Sequence, residues 1–275
     1  MLGVVSKSLL IILVTFLSQS FADEKDSNLD SDFSVYRKAQ REFMKKNYVV
    51  AINNFQKFIL DNKTSKDTAI KKKMFWSIDL IMRAHLKNRQ NPDEAIKYLS
   101  NILKVIKFSE VEKDSIQEWI SVIKDWKKQN KFSKNIRDKE TLFELGDKYF
   151  QSGMEKISSP GDDTGNADFY IAASYLTPYV YNFDDSKNIG RALFMLGNIR
   201  FRSWTDYEYW SENFYLKEVI RRYPHSDLAK KAFVSLEKGT QSSYSVLSGN
   251  KIPVEQLKML EVFRKLSETE KMKIK

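Results

Sequence analysis

FYLKEVIRRYPHSDLAKKAF, residues Phe214–Phe233, decides the fold. Its apolar residues Leu216, Val219, Ile220 and Tyr223 step by three and four, the spacing of one helix face. The run ends at Tyr223-Pro224, because proline lacks the N–H that the helical ladder needs and its ring crowds the preceding turn. Ser226 or Asp227 is suited to cap a second helix. That helix opens with Ala229 and Ala232, three apart, where leucine would bury more. Small residues at helical spacing serve where two helix axes approach to about 8 Å. The stretch therefore predicts a helix, a sharp stop, and a second helix laid close against the first.

The same grammar recurs along the chain. In FSVYRKAQREFMKKNYVVAINNFQKFI, Ala39 precedes Tyr48, Ala51, Phe55 and Phe58, the last four spaced by three, four and three. NPDEAIKYLSNIL carries Ala95 and Leu99. ETLFELGDKYF carries Leu145, Gly146 and Tyr149, and ADFYIAASYLTPYV carries Phe169, Ala172 and Leu176. ALFMLGNIRF offers Leu193, Leu196 and Gly197. Helices are expected near 33–46, 48–61, 66–88, 92–106, 109–129, 138–153, 168–182, 187–203, 208–223, 226–247 and 253–268. Asn91-Pro92-Asp93-Glu94 and Ser109–Glu112 read as helix starts with capping boxes. Five prolines and nine glycines in 275 residues argue against a sandwich or barrel and for an all-α protein.

Ala39 and Ala51 stand twelve apart, and the set Ala39, Tyr48, Ala51, Phe55, Ala95, Gly146, Ala172, Gly197, Pro224, Ala229 and Ala232 resembles the small, aromatic and terminal-proline positions of the tetratricopeptide repeat. The variety is similar to that of cell-envelope repeat proteins, among them the repeat lipoprotein of the outer-membrane β-barrel assembly machinery. The lipid-carrying cysteine of that lipoprotein is absent. Gly197 to Pro224 is 27 residues where the family uses about 24. The alanine expected in the second helix of that pair is missing, with Glu212 near its place. The resemblance implies a right-handed α-solenoid of antiparallel helix pairs with a concave face that binds a peptide or another protein.

The ends and the charge set further bounds. MLGVVSKSLLIILVTFLSQSFA, residues 1–22, has Lys7, an apolar run from Leu9 to Leu17, and Ser20 and Ala22 placed for cleavage. It reads as a secretory signal peptide, with an uncleaved anchor as the alternative. Residues 23–32, DEKDSNLDSD, read as a disordered acidic leader. Residues 33–136 form a basic N-terminal block and 137–275 a second helical block with an insertion at 151–168. Residues 35–139 hold 25 Lys and Arg against 12 Asp and Glu, whereas 140–275 hold 19 of each. Such asymmetry points to an acidic partner, an anionic surface or nucleic acid, or simply to a well-solvated face. There is no cysteine, so no disulfide framework holds the chain together.

No nucleophile elbow, phosphate loop or dinucleotide fingerprint is present. The two histidines, His85 and His225, lie in unlike contexts, His85 on a helix and His225 just past the Tyr-Pro stop. Asp162, Thr164, Asn166 and Asp168 alternate like the start of a calcium loop. Ala167 and Ala173, however, replace the glycine and bidentate glutamate that such a loop needs. Ile116, Trp119, Ile120, Ile123 and Trp126 form one helix face and read as core rather than a binding platform. Between Arg200 and Tyr215 aromatic residues crowd together. Trp204, Tyr207, Tyr209 and Trp210 are the candidate partner-binding residues there, with inter-repeat core as the alternative. The expectation is a periplasmic or secreted, non-enzymatic adaptor or scaffold without cofactor or metal, binding a protein or peptide that the basic half would favour if acidic. Electrostatic attachment to an anionic envelope polymer or membrane surface is the alternative, and nucleic acid ranks below both.

Overall fold

The computed structural model describes residues 33–157, 163–184, 186–202, 214–247 and 251–268. Among them every regular element is helical. In chain order they are α1 Ser34–Met44, α2 Tyr48–Asp61, α3 Thr68–Arg83, a π-helical turn Ala84–Arg89 that continues α3, α4 Pro92–Val105, α5 Glu110–Gln129, a 3-10 turn Ser133–Asn135, α6 Lys139–Lys156, α7 Asn166–Asn182, α8 Ile189–Arg202, α9 Phe214–Arg222, α10 Asp227–Leu247 and α11 Val254–Ser267. The protein is all-α, and no described helix is long and apolar enough to cross a membrane.

The starts follow from capping chemistry. The Asp67 carboxylate accepts from the Ala69 and Ile70 N–H groups at 2.6 and 3.2 Å. Asn91 accepts from Glu94, beside Pro92 at the first helical position. Ser109 and Glu112 form a reciprocal capping box. Past the Tyr-Pro stop the Ser226 hydroxyl, not Asp227, accepts from the Ala229 N–H at 3.1 Å. Each satisfies a donor that the first helical turn leaves without a partner.

Small residues stand where helices close on each other. A methyl group placed on Gly146 of α6 would lie 2.6 Å from Leu176 of α7, and one on Gly197 of α8 would lie 2.5 Å from Leu216 of α9. Glu212, near the place where an alanine was expected in the second helix of that pair, lies outside the described residues. Ala39, Ala51, Ala95, Ala172, Ala229 and Ala232 are fully buried, as is Phe55. Tyr48 is half-buried, set edge-on to Phe43 at 5.3 Å, with its hydroxyl accepting from Asn88 at 2.9 Å. Pro224 is exposed in the turn after α9.

From α6 onward each helix packs on the next, and α6 on α8, α8 on α10 and α9 on α11. In the first half α1 packs on α2, α2 on α3, and α4 on α5. Then the order breaks, because α5 packs on α7 rather than on α6. Helix α7 also meets α3, the π-helical turn, α6 and α8. It touches the 3-10 turn as well, and it is buried from Asn166 to Leu176 without an exposed face. The insertion is shorter than its sequence suggested, since α6 runs to Lys156 and α7 begins at Asn166. Gly165 has φ +82°, and a side chain there would strike the Gly153 carbonyl at 2.6 Å, so only glycine lets this loop close on α6.

One proline tests the ladder from inside. Pro178 lies within α7 and donates nothing to the carbonyl of Ser174 one turn back. The Ser133 hydroxyl from the 3-10 turn donates to that carbonyl at 2.6 Å. Gln90, left-handed at φ 49°, in turn donates to Ser133 Oγ at 2.6 Å and accepts from the Lys134 N–H at 3.1 Å. A helix defect is thereby repaired by a turn 41 residues away, and the repair clamps the π-helical turn to α7.

Candidate functional site: a basic surface beside a buried polar core

The basic excess is realised as surface. Lys71 and Lys72 are exposed on the first turns of α3, and Lys73 beside them is half-buried. Lys72 Nζ lies 4.8 Å from the Trp76 ring centre. Lys73 Nζ lies 5.2, 5.1 and 5.5 Å from the rings of Phe33, Tyr36 and Trp76. The aromatic faces attract the ammonium groups and hold them outward over α1 and α3. The run KKKMFW is visible in the sequence, but the approach of Phe33 and Tyr36 from α1 is not. Some lysines elsewhere on this half pair with a nearby carboxylate, Lys45 with Glu42, Lys57 with Asp61, Lys113 with Glu110 and Lys127 with Asp93.

Beneath this surface lies a set of buried polar groups strung along α7. The Tyr170 hydroxyl donates to the Asp79 carboxylate, 2.5 and 2.6 Å from its two oxygens, with both residues buried. Burial, then the Asp79 charge, raises the Tyr170 hydroxyl well above its ordinary range, while Arg83 opposes. Trp126 Nε1 donates to the Tyr175 hydroxyl at 2.8 Å, and that hydroxyl donates to the Lys131 carbonyl. Burial pushes Tyr175 up to about 12. At the start of α7, Lys156 Nζ sits 2.6 Å from both Glu118 and Asp168. Burial alone would lower Lys156, but the two carboxylates outweigh it and raise it. Trp119 Nε1 donates to the Asp163 carbonyl at 2.9 Å. Trp119 and Trp126 are thus core residues with polar anchors.

The calcium-loop pattern resolves differently from its spacing. Asp168 is the N-terminal acid of α7 and is held by the Lys156 ammonium, while the Thr164 hydroxyl donates to the Lys156 carbonyl at 3.0 Å. Positive charge is already supplied there by the protein. Asp162 lies outside the described residues. Among those described, no three His, Cys, Asp or Glu residues group as a metal site would require.

His85 is buried within the π-helical turn, and its Nδ1 has no hydrogen-bond partner. Burial first, then the Arg89 charge, lowers it to about 4, with Glu94 opposing. An unfolded imidazole takes up its proton near 6.5, so between those values the unfolded chain holds more protons. Stability should therefore fall as pH drops from about 6.5 to about 4, by up to about 3 kcal/mol. Urea midpoints across that range should show the fall, and a His85→Leu chain should not. Exposed His225 takes φ 63° and docks the last helix, its N–H donating to the Leu266 carbonyl at 2.8 Å.

Trp204, Tyr207, Tyr209 and Trp210 lie outside the described residues, as do the signal segment and the acidic leader. At the edge of the aromatic segment, Tyr215 is buried and Phe214 is exposed. No protein-family model, curated protein or solved structure matches this chain.

Proposed function

We propose that the chain is a tetratricopeptide-like solenoid acting as a non-enzymatic periplasmic adaptor, which binds a protein or peptide segment on its concave face. The observation that carries this reading is the repeated fit of a leucine from one helix over a glycine of its predecessor, Leu176 over Gly146 and Leu216 over Gly197. The succession of α6 to α11, each on the next, with α6 on α8, α8 on α10 and α9 on α11, is what stacked pairs require. Trp204 and Trp210 are the proposed anchors for the partner.

The test is a photo-crosslinking residue at Tyr207 in the intact envelope. A discrete adduct that survives about 1 M salt is expected, since such salt cuts electrostatic reach to about 3 Å. A Trp204→Ala/Trp210→Ala chain should lose the adduct with its helical circular dichroism unchanged. An adduct that persists without both tryptophans would overturn the assignment. A second reading, attachment to an anionic envelope surface, is favoured by the lysine run over Trp76. It expects sedimentation with anionic vesicles that disappears between low and moderate salt.

A further inference from the structure

Phe33 is buried, and its ring lies 5.2 Å from Lys73 Nζ. The residue at which the preceding chain joins the helical body therefore lies beside Lys73, the last of the run Lys71 to Lys73. That chain is DEKDSNLDSD, residues 23–32, with Asp23, Glu24, Asp26, Asp30 and Asp32 against a single lysine. Asp32 is bonded directly to a residue that touches the lysine run. Lys71 and Lys72 are exposed and make no ion pair among the described residues.

We propose that residues 23–32 dock in cis on the lysine face of α3, as an acidic strap covering the surface that an acidic partner segment would otherwise use. Ten extended residues reach about 33 Å, while the rise along α3 from Lys71 to Trp76 is about 8 Å, so the strap has ample length. Tethering through Phe33 gives it an effective concentration on the order of millimolar, enough to make weak ionic contacts count. The half-buried Trp76 ring, already beneath Lys72 and Lys73, gives the strap's Leu29 an apolar place to rest. The strap opposes any acidic competitor and yields to salt. This inference stands apart from the adaptor reading, because it concerns an occupant supplied by the chain itself.

The chain has no cysteine, so a spin label at Ser27→Cys is unique. The reference is the same labelled chain with Asp23, Asp26, Asp30 and Asp32 changed to Asn and Glu24 to Gln, which reports tethering alone. At low salt the amides of residues 71–76 should lose about half of their intensity relative to that reference, and the difference should close near 1 M salt, where the Debye length is about 3 Å. Lys71→Gln/Lys72→Gln should close it as well. Both sites are exposed, and Lys73 is left in its aromatic setting so that the fold is retained. A short poly-glutamate peptide should bind the neutral-leader chain several-fold more tightly than the native chain. Equal broadening from both leaders, broadening indifferent to salt and to the lysines, or equal peptide affinity would overturn the proposal.

Discussion

Asp79→Ala should lower the stability of the chain by about 3–5 kcal/mol, the usual cost of removing one member of a buried charged set. Asp79, Arg83 and Tyr170 are each at most 6% exposed. Tyr170 donates to both carboxylate oxygens, and Arg83 stands one turn along α3, its guanidinium 5.9 Å from the Phe43 ring. Alanine removes the acceptor of a buried hydroxyl and the negative charge nearest along the helix to a buried guanidinium. Asp79→Asn keeps one acceptor and most of the volume, and should cost less. Tyr170→Phe keeps the charge and removes one strong donor, for a loss of about 1.5–3 kcal/mol. Equilibrium urea unfolding followed by circular dichroism orders the three, with alanine the most destabilised. Because Asp79 lies on α3 and Tyr170 on α7, an Asp79→Ala/Tyr170→Phe chain should fall short of the summed losses. Full additivity would show that the two residues do not act as a pair.

Trp126→Ala should cost a similar amount, about 3–5 kcal/mol, through a large cavity in a close-packed site. Trp126 is fully buried, sits edge-on to Phe132 at 5.0 Å, and anchors Tyr175 through its indole N–H. Trp126→Phe retains part of the ring and loses the donor, so a smaller loss is expected. The comparison separates core from binding platform. A core residue moves the unfolding midpoint, whereas a platform residue would move partner capture and leave the midpoint in place. The same measurement probes the junction of α5 with α7, where the chain departs from packing each helix on its immediate successor.

Much of the local order was legible because it depends on neighbours in sequence. The expected helix at 48–61 is α2, and the one at 109–129 is α5 with its capping serine. Ser109–Glu112, Asn91–Glu94 and the Tyr223-Pro224 stop work through contacts within one turn. Apolar spacing also marked Trp119 and Trp126 for the interior. Three features were not legible in the same way. The helix expected at 66–88 passes into a π-helical turn at Ala84, and nothing in the apolar period there signals an extra residue per turn. Its closure uses Gln90 and Ser133, partners 43 residues apart. The Asp162–Asp168 stretch read as a polar loop lacking the glycine and glutamate of a calcium site, but nothing in it pointed to Lys156 of α6 as the partner of Asp168. The apolar character of α7 on every side was visible, but not the elements that would cover each side.

What the sequence by itself determined is the helical class, the helix starts and stops, and the positions where small residues admit a neighbour. Those properties arise from hydrogen-bond and steric rules that act over one or two turns. Only the tertiary structure decided that α7 becomes the shared interior of both halves. It also decided that the Ser174 carbonyl, left unserved by Pro178, is met by Ser133 and that Asp79 faces Tyr170, 91 residues away. Such pairings depend on which apolar faces close together in space, and a burial pattern along one chain leaves the choice of partner open.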